Sequence, residues 1–139
     1  MQQFIPYLAY NGNCREAMRF YEGAIGAKIE RMMTFAESPM QEQCGEAQRD
    51  QIMHASISID GSVLMASDMP AGMPYEGIKG ASVALTFETK ARAQQVFDAL
   101  SAGGQVTMPM MPTFWAGTFG MLTDRFGASW MVSGEPVPM

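Results

Sequence analysis

The sequence is poor in the residues on which several classes of protein depend. Its 139 residues include a single histidine, His54, and two cysteines, Cys14 and Cys44. One histidine cannot build a histidine-rich metal centre, and the two cysteines form neither a CxxC redox motif nor a disulfide framework. Cys14 falls at a predicted helix start, where the helix dipole would lower a thiol pKa. We interpret it instead as a small residue of a reduced cytosolic protein.

Basic residues and long apolar runs are also scarce. Nine Lys and Arg stand against 14 Asp and Glu, and the basic residues are scattered along the chain. Without a basic patch, the chain is not expected to bind nucleic acid. No apolar run is long enough to cross a membrane, and the start MQQFIPYLAY lacks the parts of an export signal. We therefore expect a cytoplasmic protein with no membrane partner.

Methionine, by contrast, is abundant, with 15 residues. Its flexible thioether side chain fills irregular apolar space and adapts to ligands of different shapes. The abundance is consistent with a methionine-lined binding site. It is equally consistent with compositional drift in an ordinary core.

An internal repeat is the most informative pattern in the chain. Residues 8–29 (LAYNGNCREAMRFYEGAIGAKI) and 85–106 (LTFETKARAQQVFDALSAGGQV) align without a gap, 77 residues apart. Each copy predicts a strand, an amphipathic helix, a glycine stop and a second strand. A strand, turn and strand follow in both copies, at 54–67 and 118–133. Two half-units of this kind are expected to pair and to leave a cleft at their seam.

The element order predicts an α+β fold of two βαβββ modules. We expect one domain over 1–139, with a first module over 1–67, a linker over 68–79 and a second module over 80–139. The linker is DMPAGMPYEGIK, which is rich in glycine and proline. Each helix has one apolar stripe and is expected to cover one face of a sheet. The other face is then free to form a concave wall.

Local signals predict the remaining boundaries. A strand is expected over 4–10, followed by a turn over Asn11–Asn13 that supplies a cap for the first helix. The second helix is expected from about Lys90 to Ser101. Residues 36–51 predict a long polar loop, and 108–115 (MPMMPTFW) predicts an aromatic loop broken by prolines. Asp60-Gly61 is a strong hairpin-turn signal.

Four segments resemble the glyoxalase/bleomycin-resistance/dihydroxybiphenyl dioxygenase superfamily, also called vicinal oxygen chelate proteins. They are PYLAYNGNCREAMRFYEGAIGA (6–27), IMHASISIDGSVLMASD (52–68), GIKGASVALTF (77–87) and TFWAGTFGMLTDRFGASWMV (113–132). The resemblance is closest to the PhnB-like branch, often labelled 3-demethylubiquinone-9 3-methyltransferase-like, for which DxFGxxW in the last segment is typical. It implies mixed, curved sheets that form an incomplete barrel around a cleft, and a homodimer.

The resemblance also implies four positions at which metal-using members place His or Glu ligands. By strand register these positions fall on Ile5, Met65, Ser82 and Met131. None of these side chains suits a hard or borderline divalent ion. We therefore predict no superfamily-type metal site and no cofactor, while a divalent metal held by other residues stays open. No glycine-rich loop suggests a site for a methyl-donor nucleotide.

The candidate ligand-binding residues are those expected on the cleft side of the sheets or in the aromatic loop. They are Ile5, Tyr7, His54, Ser56, Met65, Ser82, Trp115, Phe119 and Met131. His54 is the candidate catalytic base, or a hydrogen-bond donor to a ligand, with a structural histidine as the alternative. Tyr7 either binds a ligand or caps the core. Trp115 and Phe119 either line a site for a flat ligand or pack in the core or in a dimer contact.

The sequence therefore predicts a PhnB-like protein that binds a small apolar or aromatic molecule in a cleft, without a superfamily-type metal. The alternative is a lyase, isomerase or dioxygenase of the same superfamily. Such an enzyme would be metal-dependent through unrecognised ligands, or metal-free with His54 as the base. A third possibility is a degenerate member whose modules serve only assembly.

Overall fold

Each half of the chain folds as one four-stranded sheet with one helix. The computed structural model describes residues 3–39, 45–70 and 72–138, and the chain divides into two compact units, Met1–Gly77 and Ile78–Met139. Cys44, part of the predicted loop 36–51 and residue 71 of the predicted linker lie outside the described residues. The first unit contains β1 (Tyr7–Tyr10), α1 (Cys14–Ile25), β2 (Lys28–Thr34), a 3-10 turn (Glu46–Gln48), β3 (Ile52–Ile59) and β4 (Ser62–Asp68). The second contains β5 (Val83–Phe87), α2 (Lys90–Ser101), β6 (Gln105–Met111), β7 (Ala116–Thr123) and β8 (Ser129–Pro136).

The two sheets have the same topology. The strand orders are β1-β4-β3-β2 and β5-β8-β7-β6. In each sheet the first strand of the module runs parallel to the last, and the other neighbours are antiparallel. Within the described residues neither sheet closes on itself, so each ends in two edge strands. The predicted α+β fold of duplicated βαβββ modules with mixed sheets is confirmed.

The repeat extends to the pairing of individual residues. Tyr7 pairs with Met65 across the first sheet, and Ala84, which lies 77 positions after Tyr7, pairs with Met131 across the second. Strands β2 and β6 also begin and end 77 residues apart. Gly26 ends α1 in the left-handed conformation, and Gly103, 77 positions later, also has a positive φ, although α2 itself ends with Ala102 in an extended conformation.

Each helix covers one face of its own sheet. Helix α1 contacts β2, β3 and β4, and α2 contacts all four strands of the second sheet. The apolar stripe of α1 includes Ala17, Met18 and Tyr21, which are fully buried. Burial of these side chains supplies most of the stabilisation of such short helices, because intrinsic propensity alone is marginal. No helix in the described part of the chain is long and apolar enough to cross a membrane.

Several predicted element boundaries are wrong. Strand β1 begins at Tyr7 rather than at residue 4, so Phe4 and Ile5 precede it and are exposed. Asn13 is the residue before α1, but its side chain makes no capping hydrogen bond. The hairpin turn is as expected: Asp60 and Gly61 both have positive φ, which a two-residue type I′ turn requires.

The predicted loop 108–115 is the largest error. Strand β6 continues through Pro109 to Met111. Because β6 lies at the edge of the second sheet, Pro109 need not donate a hydrogen bond to a second neighbour. The pairing with β7 is irregular on both sides of Met108, which accommodates the proline without ending the strand.

Candidate functional site

The face of the first sheet that turns away from α1 carries polar and aromatic side chains. Buried Leu8, Ala66 and Ala55 point toward the helix. The residues next to them along the strands point the other way. One row of directly paired residues crosses this open face, in the order Tyr7, Met65, Ser56 and Arg31.

Tyr7 and His54 meet on this open face although one strand separates them. The Tyr7 hydroxyl lies 3.5 Å from His54 Nδ1, and the ring centroids are 6.0 Å apart. A distance of 3.5 Å is at the long limit of a hydrogen bond. The Tyr7 side chain is 54% exposed, so the pair is accessible from solvent. The pair can therefore donate or accept hydrogen bonds at the surface of this sheet.

The corresponding face of the second sheet is apolar and rich in sulfur. The row that crosses it contains Ala84, Met131, Met121 and Met108, in that order. We call Met131, Met121 and Met108 the methionine row. Met121 and Met131 are half-buried, and Met108 is 37% exposed. The helix-facing positions of the same strands hold Leu122, Trp130 and Val132, which are fully buried.

Aromatic rings continue this apolar face beside the methionine row. Phe119 is the second residue before Met121 on β7 and therefore shares its face. Its ring lies 5.2 Å from that of Trp115, which in turn lies 4.8 Å from Phe114, both with edge-to-face geometry. Met111 pairs with Phe119 on β6 and is largely exposed. The face thus combines adaptable thioethers with flat aromatic surfaces.

The structure distributes the predicted site residues over the two units. Tyr7, His54, Ser56 and Met65 share the open face of the first sheet, whereas Met131, Phe119 and Trp115 belong to the second unit. Ser82 immediately precedes β5, and its hydroxyl lies 2.6 Å from that of Ser129. Ile5 precedes β1 and is not part of a strand.

Sequence reasoning missed two members of the methionine row. Met108 was assigned to a loop, and Met121 was not singled out. The alternation of TFGMLT already places Met121 on the face of Phe119, so this residue was detectable from the sequence. Met108 was not detectable in the same way, because its position depends on an irregular pairing with another strand.

Cys14 is not placed as a reactive thiol. Burial, together with the nearby charge of Asp68, raises the pKa of the Cys14 thiol to about 12. The sequence-based alternative of a dipole-lowered thiol pKa is therefore wrong. Within residues 3–39, 45–70 and 72–138, no group of three or more His, Cys, Asp or Glu side chains is arranged to hold a metal ion.

Comparison with known proteins places the chain in a family. The sequence profile described as "3-demethylubiquinone-9 3-methyltransferase" matches residues 2–133. The chain belongs to this family. It is 34% identical over 137 residues to protein YjdN of Escherichia coli K12, with 92% of each chain covered.

Solved structures agree with this family membership. The structure of protein PA1353 from Pseudomonas aeruginosa has a TM-score of 0.89 and 48% identity, over 97% of this chain and 98% of that one. A putative 3-demethylubiquinone-9 3-methyltransferase, PhnB protein, from Bacillus cereus has a TM-score of 0.78 and 25% identity, over 96% and 99% of the two chains. A glyoxylase/bleomycin resistance protein/dioxygenase domain from Frankia sp. EAN1pec shares the fold, with a TM-score of 0.66 at 11% identity over 96% and 98%. The PhnB-like, glyoxalase-fold resemblance is confirmed.

Proposed function

We propose that this family member binds a small apolar or aromatic molecule on the open face of the second sheet, without a metal of the type used by superfamily enzymes. The observation that supports this most is the position of Met121, Met131 and Phe119. They are half-buried on the face that α2 does not cover. Apolar groups in such a position contribute binding free energy when a ligand removes them from water.

The apolar surface area that the ligand buries sets the expected affinity. A one- or two-ring molecule that buries about 300 Å² of apolar surface gains about 7.5 kcal/mol, before the cost of immobilisation. We therefore expect dissociation constants no tighter than roughly micromolar. Thioether side chains adapt to several ring shapes, so related aromatic molecules should bind with similar affinity.

Tryptophan fluorescence tests the proposal directly. The chain has two tryptophans, and Trp130 is buried with its Nε1–H donating to Asp124 at 2.8 Å. Trp115 is half-buried beside Phe119. In a Trp130→Phe background, titration with naphthalene, indole and biphenyl should change the Trp115 emission and saturate. Met121→Gln should weaken binding, because it places an amide on the apolar face.

Met73→Gln is the matched control, because Met73 is 56% exposed in a loop outside both sheets. Equal effects of the two substitutions, or no saturable change with any probe, would refute binding at this face. Native mass spectrometry of the purified chain adds a second readout, since a retained small molecule appears as added mass.

A metal-free enzyme is the second candidate function, and the Tyr7–His54 contact favours it. An accessible imidazole beside a phenol hydroxyl suits the abstraction of a proton from a bound molecule. The compound 5-nitrobenzisoxazole, which opens when a base removes one proton, is a suitable probe of such activity. If His54 is the base, His54→Ala should abolish the reaction while the far-UV circular dichroism stays unchanged. A variant as active as the native chain would eliminate this candidate.

A homodimer is proposed as the working assembly. Phe4 is fully exposed, at 106%, and Phe114 is 75% exposed, and large apolar side chains of this kind favour burial against a partner. Native mass spectrometry over a range of concentrations reports the assembly. A monomer mass at tens of micromolar would argue against the dimer.

A further inference from the structure

We propose that the methionine row is a binding site for a soft monovalent metal ion, Cu(I) or Ag(I). Three strands of one sheet place Met131, Met121 and Met108 directly opposite one another. The site uses thioether ligands only and is contained within the second unit. It goes beyond the binding of an apolar molecule, because its recognition chemistry is coordination rather than burial.

The geometry of the sheet brings the three side chains within reach of one ion. Directly paired residues on antiparallel strands have Cα atoms about 4.5 to 5.5 Å apart, with side chains on the same face. Met121 is the central member: it pairs in regular register with Met131, and it pairs with Met108 between two irregularities of the β6–β7 pairing. The methionine side chain has three rotatable bonds, so the terminal sulfur atoms can converge above the central residue.

The chemistry of the donors determines which ion fits. Thioether sulfur is a soft, neutral donor that favours Cu(I) over hard or borderline divalent ions. Phe119 and Trp115 lie next to the row, and aromatic faces attract cations. The paired row itself contains no carboxylate or imidazole, since its remaining member is Ala84.

The methionines of β7 and β8 do not serve as core packing against the helix. On these two strands the helix-facing positions hold Ala116, Thr118, Gly120, Leu122, Trp130, Val132 and Gly134. Both methionines, Met121 and Met131, occupy the opposite face. The thioethers are therefore concentrated where a solute can reach them.

The first unit supplies an internal comparison. Its equivalent row contains Tyr7, Met65, Ser56 and Arg31. Met65 is the single thioether of this row, and Arg31, at the position that corresponds to Met108, carries a positive charge. A cation is repelled by the guanidinium and finds too few soft donors there. The same backbone thus carries two rows, of which only the second is suited to a soft cation.

The test is a Cu(I) competition titration of the full chain. Cys44→Ser serves as the background, because a second thiol would also bind Cu(I); Cys14 is fully buried. Without oxygen and with ascorbate as reductant, the protein competes for Cu(I) with the coloured chelator bicinchoninate. We expect one equivalent of Cu(I) per chain. Met121→Leu and Met131→Leu should each weaken binding by at least roughly tenfold, since even outer-shell changes at metal sites cost that much.

Leucine is chosen because it removes the sulfur but keeps apolar volume. The two variants should therefore retain naphthalene binding, which separates this site from the proposed function. Met73→Leu should leave Cu(I) binding unchanged. Absence of Cu(I) binding, or unchanged affinity in both row variants, would overturn the proposal.

Oxidation of the native side chains gives a readout that needs no row variant. Dilute hydrogen peroxide converts accessible methionines to sulfoxides, which peptide mass spectrometry locates. Saturating Ag(I) should protect Met108, Met121 and Met131 but not Met73. Equal oxidation with and without Ag(I) at all four residues would also overturn the proposal.

Discussion

The carboxylate of Asp68 caps helix α1 by accepting the backbone N–H of Cys14 on Oδ1, at 2.9 Å. Its second oxygen accepts the backbone N–H of Ile52 at 2.8 Å. Asp68 is the last residue of β4 and is 1% exposed. One buried carboxylate therefore joins the start of α1, the start of β3 and the end of β4, in place of a local cap from Asn13.

Asp68→Asn should lower the free energy of unfolding by about 2 to 4 kcal/mol. The amide keeps the shape but turns one acceptor into a donor, which leaves a buried N–H without a partner. Urea denaturation followed by far-UV circular dichroism measures the change. Asp98→Asn is the control, since the Asp98 carboxylate accepts an exposed hydrogen bond from the Gln94 amide within α2, and the substitution should cost about 0.5 kcal/mol or less. Similar losses in both variants would show that the cap contributes little.

Gly134→Ala should destabilise the second unit by about 1 to 3 kcal/mol. A Cβ at this position of β8 would lie 2.6 Å from the Thr89 carbonyl oxygen and 2.7 Å from the Ala93 Cβ, so α2 would have to move. Gly23→Ala in α1 is the opposite control, because nothing lies within 4 Å of the added Cβ. It should stabilise the chain by about 0.5 to 1 kcal/mol. Thermal unfolding shows whether each substitution lowers or raises the stability of the chain. A stabilising Gly134→Ala would contradict the close packing.

Glu37 should titrate below the usual range of a glutamate. The backbone N–H and the hydroxyl of Thr34 both donate to Glu37 Oε1, at 3.1 and 2.8 Å, and they lower the pKa of the carboxyl. A lowered pKa means that the ionised form is the one stabilised by folding. Its contribution is present above the ordinary glutamate pKa and is lost as the pH falls through the lowered value.

Thr34→Val removes the hydroxyl donor and should raise the pKa of Glu37 part of the way toward its ordinary value. NMR titration of the side-chain carboxyl carbon measures both values. Thr107→Val on exposed β6 is the control and should leave the Glu37 titration unchanged. An unchanged pKa in Thr34→Val would show that the hydroxyl does not interact with the carboxylate in solution.

Cys14 should resist alkylation in the folded chain. With its pKa raised to about 12 by burial and by Asp68, only about one thiol in 10⁴ is ionised at pH 8, and the sulfur is inaccessible. In a Cys44→Ser background, iodoacetamide should label Cys14 only after urea unfolds the protein. Intact-mass spectrometry follows the added mass. Labelling of the folded chain at the rate of a free thiol would contradict the buried environment.

The element order was predictable because every element has a local signal. Apolar periodicity, the glycine stops and Asp60-Gly61 predict the eight strands and two helices that the described residues form, and α2 has the predicted bounds Lys90–Ser101. The end of β6 was not predictable, because Pro109 is a breaker by local rules. Only the edge position of the strand, which is a property of the sheet, makes that proline acceptable.

The candidate site was predictable only within single strands. Alternation places His54 with Ser56, and Phe119 with Met121, without any structure. The methionine row requires the register between three strands, including the irregular pairing at Met108. The role of Asp68 also had no local signal, because its partner Cys14 lies 54 residues away in the sequence.

The matched pairing of Tyr7 with Met65 and of Ala84 with Met131 has an evolutionary consequence. Such positions occupy equivalent places in the two sheets, and their side chains can differ, as those of Tyr7 and Ala84 do. A substitution at one of these positions therefore changes the chemistry of one sheet without changing its counterpart in the other. A gain-of-function exchange, such as Ser56→Met with Arg31→Met, would measure how far the two copies have specialised.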